Sequence, residues 1–147
     1  QKLNMATNLN VFLREKISEL NTPDTFFEYS SDYTIKSYAK RQLYVTGSYS
    51  TTIATFGTQS NSDFESISYG RVSNLGTYDV EVKFVNQDDD LFIYKVGPSQ
   101  HLMVNNVLLS NFVGSTESLK QIEAKVAAGT ARKIKVEYFF STDSEDI

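Results

Sequence analysis

From Val80 to Phe84 apolar residues alternate with Glu81 and Lys83, and from Ile134 to Tyr138 they alternate with Lys135 and Glu137. A period of two puts one set of side chains on a core and the other in water, so both stretches predict half-buried β-strands. Leu43 and Val45 repeat the pattern, "TTIATFG" and "FESISYG" are short β-like runs closed by glycine, and "LFIYKV" (residues 91–96) is a fuller apolar run that reads as a core strand. Residues 8–20 differ: in "NLNVFLREKISEL", Leu9, Phe12, Leu13, Ile17 and Leu20 share one face at helical spacing. Thr7 or Asn8 can cap that segment and Pro23 ends it just beyond Asn21, so an amphipathic α-helix is expected there. It packs either on its own core or on a neighbouring subunit.

The segment "SLKQIEAKV" fits two periods. Leu119, Ile122 and Val126 have helical spacing, whereas Ile122, Ala124 and Val126 have strand spacing. The strand is favoured, because "AAGT" and then "ARKIKVEYFF" complete a hairpin. Short strands separated by turn residues predict a mainly β protein. The expected fold is an antiparallel β-sandwich of jelly-roll or Ig-like type with one N-terminal α-helix. Residues 1–24 would form an arm and helix, and residues 25–147 the sandwich domain.

Composition supports this picture. The 147 residues fit one domain, and the nine Tyr, ten Phe and abundant Ser, Thr and Asn suit strands and turns. A net charge of −4, with Lys40-Arg41 and Arg132-Lys133 as the only dense basic groups, argues against nucleic acid as a partner. Cysteine is absent, which excludes disulfides and thiolate zinc sites. No apolar run approaches the ~20 residues of a membrane span, and no signal peptide is recognisable. The chain begins with Gln1 and has a methionine at position 5. Its start is expected to be either a processed end or four residues added ahead of a natural Met5.

The candidate chemistry is sparse. Asp88, Asp89 and Asp90 are contiguous, whereas a calcium loop spaces its acids and needs roughly six to eight converging oxygens. They read as a turn opening a hairpin into "LFIYKV", after which "GPSQ" turns and "HLMV" returns to the sheet. His101 is the only histidine and has no His or Cys partner for zinc, no G-x-S-x-G elbow and no H-E-x-x-H. It is expected at a loop edge or strand start. The seven glycines are scattered singly and form no phosphate-binding motif. Glu28, Glu65, Glu81, Glu117 and Asp63 are available for a carboxylate pair, with nothing to favour any two. No catalytic residue, cofactor or metal is assigned. Tyr29, Tyr33, Tyr38, Tyr44 and Tyr49 form a tyrosine-rich stretch suited either to the core or to protein or sugar contacts.

The stretch "LFIYKVGPSQHLMVNNVLLSNFVGS" and the later "GTARKIKVEYFF" resemble the β-sandwich virion proteins of tailed bacteriophages, of the decoration, head-fibre and neck or tail accessory types. The resembling residues are Gly97, Pro98, His101, Leu102, Val104, Leu108 and Leu109, then Gly129, Thr130, Ala131, Val136, Glu137 and Tyr138. The two stretches together span 37 of the 147 residues. The resemblance implies a non-enzymatic structural protein located in the virion. Its partners would be other virion proteins and copies of itself, with no nucleic acid and no membrane. Leu9, Phe12, Leu13, Ile17 and Leu20 would then be an assembly face. A carbohydrate-binding or adhesin-like sandwich using the tyrosines is the alternative, and a carboxylate glycosidase or lyase a lesser one.

Overall fold

The computed structural model describes residues 7–48, 50–57, 62–63, 67–87, 89, 91–105, 119–127 and 132–142. These residues are mainly β, and every sheet is antiparallel. The strands are β1 (Thr7–Ile17), β2 (Thr25–Ile35), β3 (Ser37–Val45), β4 (Thr51–Thr55), β5 (Tyr69–Asn74), β6 (Val80–Asn86), β7 (Leu91–Val96), β8 (His101–Asn105), β9 (Leu119–Val126) and β10 (Ile134–Thr142). They form a two-stranded β1-β2 sheet and two four-stranded sheets, ordered β3-β10-β5-β8 and β4-β9-β6-β7.

Alternation dictates the core. Val45, Val72, Leu102, Val104, Val136, Tyr138 and Phe140 come from the first four-stranded sheet, and Ile53, Val80, Val82, Phe84, Ile122 and Val126 from the second. All belong to one hydrophobic cluster. Each such side chain stabilises the fold by roughly 1.5–3 kcal/mol on leaving water. Phe56 meets Phe140 edge-on at 5.8 Å between ring centroids. Residues 119–126 form the strand that the alternation of Ile122, Ala124 and Val126 requires, in the middle of its sheet.

Four expectations are corrected. The helix over residues 8–20 is not formed: Thr7–Ile17 is a strand paired residue for residue with Thr25–Ile35. Leu9, Val11, Leu13 and Ile17 also satisfy a period of two, and the partner strand supplies hydrogen bonds that a helix of two β-branched and two Asn residues does not outcompete. Asn21, at φ 66°, takes the left-handed conformation in the connecting turn. Second, β9 and β10 make no hairpin, because they lie in different sheets. The same holds for β7 and β8, which "GPSQ" joins across the two sheets. Third, "LFIYKV" is not a core strand: β7 is a sheet edge whose residues 91–95 are all exposed. Finally, the five apolar residues of the expected helix do not all share one face.

Candidate functional site

Among the described residues, the β1-β2 hairpin is the largest uncovered feature. From Phe12 to Asp32 every residue is exposed. Eleven paired residues make an arm about 35 Å long at the usual rise of a strand. Directly opposed residues of an antiparallel pair project to the same side. The pairs Leu9–Tyr33, Leu13–Tyr29, Glu15–Phe27 and Ile17–Thr25, with Val11, therefore make one predominantly apolar face. The other face is mostly polar, with Phe12 and Phe26 among its residues. Asn10 Nδ2 donates to Asp32 Oδ1 at 2.8 Å, Arg14 and Glu28 form an ion pair at 3.3 Å, and the Arg14 guanidinium lies 4.3 Å from the Phe26 ring centre.

Of the five residues expected as an assembly face, Leu9, Leu13 and Ile17 are together on the apolar side. Phe12 projects from the polar side opposite Ser30, and Leu20 sits in the turn, 90% exposed. Near the root, Tyr33 packs on Tyr69 at 5.8 Å between ring centroids, and Ile35 is buried. A two-stranded hairpin is marginal in water without something on its apolar face.

A second uncovered apolar stretch is β7. Among the described strands it is hydrogen-bonded to β6 alone. Leu91 is 58%, Phe92 48%, Ile93 55% and Tyr94 48% exposed. An edge strand with bare backbone groups and apolar side chains is a template for pairing with another strand. Within β7, the charged residues that usually guard such an edge are reduced to Lys95.

The tyrosine-rich stretch divides. Tyr29 belongs to the arm's apolar face. Tyr38 and Tyr44 stand on the outer face of the β3-β10-β5-β8 sheet, where Tyr38 stacks on Phe139 at 6.0 Å and Tyr44 lies under the Lys135 ammonium at 5.7 Å. Tyr69 links Phe139, at 6.1 Å, to Tyr33 of the arm. Tyr33 and Tyr38 thus end one aromatic row, which neither sequence spacing nor composition signals. Tyr49 lies outside the described residues, as do Asp88, Asp90, Glu65, Glu117, Leu108, Leu109, Gly129, Thr130 and Ala131.

Beside that row runs a polar one. Gln42, Glu137, Ser73 and His101 are consecutive cross-strand neighbours on β3, β10, β5 and β8. Glu137 accepts hydrogen bonds from Arg71 Nη2 at 2.8 Å and Gln42 Nε2 at 3.0 Å, with Lys40 Nζ at 3.6 Å. The Arg71 and Gln42 hydrogen bonds, helped by the nearby Lys40, hold its carboxyl at about 2, well below 4.5. Arg71 also donates to Ser73 Oγ, which lies 2.7 Å from His101 Nδ1. Ser73 is buried and engaged by Arg71, so this Ser–His contact is a link in an ionic row. His101 is the first residue of β8, the strand start expected of it.

The other candidate acids are apart. Glu28 pairs with Arg14 on the arm, Glu81 lies on β6, and Asp63 accepts from the Thr55 amide at 2.9 Å. Asp89, at φ 64°, occupies the turn between β6 and β7 and pairs with Lys120 at 2.8 Å. Its left-handed backbone is the turn chemistry expected of that acidic run.

A cleft large enough for a ligand, with a volume of about 790 Å³, lies between edge strands β3 and β4. Tyr38, Arg41, Gln42, Thr52, Asp63 and Tyr138 are among its walls. Burial pushes the pKa of the Tyr138 phenol up, so it holds its proton more tightly; the adjacent Arg41, which is also hydrogen-bonded to it, opposes that shift.

No protein-family model, curated protein or solved structure matches this chain.

Proposed function

We propose that this chain is a non-enzymatic structural protein of a tailed-bacteriophage virion, a β-sandwich subunit that attaches to copies of itself and to adjoining capsid, neck or tail proteins. The resemblance at residues 91–115 and 129–140 supports the virion class. The two four-stranded sheets sharing one apolar core support the sandwich.

The observation that carries the assembly reading is the arm: paired strands with an uncovered apolar face. Its occupant, in this proposal, is a second copy of the chain, seated along the bare edge of β7. The arm supplies free strand edges and apolar side chains; β7 supplies the complementary unpaired edge and Leu91, Phe92, Ile93 and Tyr94. A standard protein interface takes about 800 Å² from each partner, and an eleven-residue paired arm laid along an edge strand is an extended surface of the kind that supplies it. Arm and edge are different surfaces, so the contact either closes as a dimer in which two copies exchange arms or runs head-to-tail into a ring or a filament.

Light scattering behind size exclusion tests this. The expected result is a discrete oligomer or filament that becomes monomeric both in the arm variant Leu13→Glu/Tyr29→Glu and in the edge variant Ile93→Lys. A wild-type protein that stays monomeric at high concentration overturns the self-association, as does an oligomer unchanged by either variant. Absence of the protein from purified phage particles overturns the virion assignment.

A further inference from the structure

The cleft between β3 and β4 is polar on a protein whose arm and β7 edge are apolar. Arg41 has the inward parity of Ala39, Leu43 and Val45 along β3, yet it stands at an edge where the two sheets leave a gap. Its guanidinium is directed at the Tyr138 hydroxyl, and Tyr138 is its cross-strand partner on β10. Asp63 forms part of the opposite wall, held by the amide and hydroxyl of Thr55 at 2.9 and 3.2 Å. Tyr38 and Gln42 flank the mouth from β3, and Thr52 faces them from β4.

This is a mixed donor and acceptor set. Arg41 only donates and Asp63 only accepts, whereas the Gln42 amide and the Tyr138 and Thr52 hydroxyls do both. A ligand carrying a net charge meets a repelling group whichever its sign: Asp63 for an anion, Arg41 for a cation. A neutral polyol meets none, and each of its hydroxyls both gives and receives a hydrogen bond. The Tyr38 ring, one face of which covers Phe139, offers its exposed side as a flat apolar surface of the kind on which the C–H face of a pyranose stacks. The volume of about 790 Å³ lies within the range of small-molecule sites, roughly 300–1,000 Å³, and accommodates several sugar rings.

We infer that the β3–β4 cleft is a binding site for neutral oligosaccharides, with Arg41, Asp63 and Gln42 reading hydroxyl groups and Tyr38 stacking on a ring. The site is separate from the arm and from β7, so it stands or falls independently of the assembly proposal. On a particle surface it would give each subunit a weak sugar contact, multiplied by copy number.

The test begins with an array of neutral and acidic oligosaccharides, then an NMR titration of the strongest neutral binder into the full chain. The expected result is saturable binding of a neutral oligosaccharide. It should weaken by about tenfold or more in Tyr38→Ala and in Arg41→Ala, and remain unchanged in the arm variant Arg14→Ala. Tyr38 and Arg41 are exposed, so their truncation leaves the core intact, and thermal melting checks that it has. Gln42→Ala provides a second, milder truncation of the same wall. Failure of every neutral oligosaccharide to bind at millimolar concentration overturns the inference. So does binding only of acidic sugars, and so does binding that Tyr38→Ala and Arg41→Ala leave untouched. If Arg41→Ala promotes self-association without altering sugar binding, Arg41 guards a sheet edge and the assignment fails.

Discussion

Arg71 on β5 and Glu137 on β10 face each other across neighbouring strands, with 2.8 Å between Nη2 and Oε1. Because Gln42 and Lys40 converge on the same carboxylate from β3, one acid ties together three of the four strands of its sheet. Its carboxyl ionises at about 2 in the folded chain against 4.5 ordinarily. A carboxyl whose folded value is depressed stabilises the fold when ionised. The contribution is complete above pH 4.5 and is lost as pH falls from 4.5 through about 2. It is worth about 2–3 kcal/mol at neutral pH. Chemical denaturation of Glu137→Gln against wild type should show that deficit at pH 7, shrinking as pH falls through this window. A constant difference across it would contradict the assignment.

Asn74 is buried at the end of β5 and is fully engaged. Its Nδ2 donates to the carbonyls of Tyr78 at 2.7 Å and Val96 at 3.0 Å, and its Oδ1 accepts from the Gly76 amide at 2.9 Å. Val96 closes β7 of the other four-stranded sheet, so this side chain ties the two sheets together. Asn74→Ala leaves these groups without partners and should cost about 2–4 kcal/mol. Asn74→Asp, which sets a carboxylate against two carbonyls, should lower the melting temperature at pH 7 at least as far. A change within about 0.5 kcal/mol in either variant would count against this role.

Gly76 is required by its neighbour. A Cβ there would lie 2.3 Å from Cγ2 of Ile134, the first residue of β10. Gly76→Ala should therefore destabilise by about 1–3 kcal/mol through overpacking. The cost should fall when Ile134 is also shortened to alanine, giving a favourable coupling in the double-mutant cycle. Additive effects would mean that the loop shifts aside instead.

Substitutions on the arm should separate assembly from folding. Leu13→Thr and Tyr29→Thr alter residues that are exposed in the subunit, so its thermal stability under dissociating conditions should change by no more than about 0.5 kcal/mol. Phe140→Ala, deep in the core, should cost about 3–5 kcal/mol. An arm variant that unfolds the subunit would show the hairpin to be integral to the core.

The sequence announces strands wherever local alternation and burial agree. Val80–Phe84, Ile134–Tyr138 and Ile122–Val126 have one polar and one apolar side, and they lie where their period requires. Residues 9–20 defeat that reading because Leu9, Leu13 and Ile17 fit a period of two as well as a helix. The partner segment Thr25–Ile35 makes the choice, and no local pattern reveals its register. "LFIYKV" has the composition of a strand buried on both faces, but burial depends on the elements beside and above it. "GPSQ" marks a turn without saying whether the chain returns to the same sheet or crosses to the other. The β3–β4 cleft is illegible for the same reason: Arg41 and Tyr138 meet only through the pairing of β3 with β10, and Asp63, held by Thr55 of β4, joins them only across the cleft.

The place of β10 carries a consequence for biosynthesis. It is the shared partner of β3 and β5 in the middle of its sheet, yet it comes after both by many residues in the chain. While the polypeptide is being made, β3 and β5 have no neighbour to join them until Ile134–Thr142 has cleared the ribosome. The β1-β2 hairpin pairs neighbouring segments, so even its marginal pairing does not wait for β10. A nascent chain therefore carries the segment of its uncovered apolar arm before it owns a closed core. If the arm makes the self-contact proposed above, premature association is most favoured during that interval, which slow translation would lengthen.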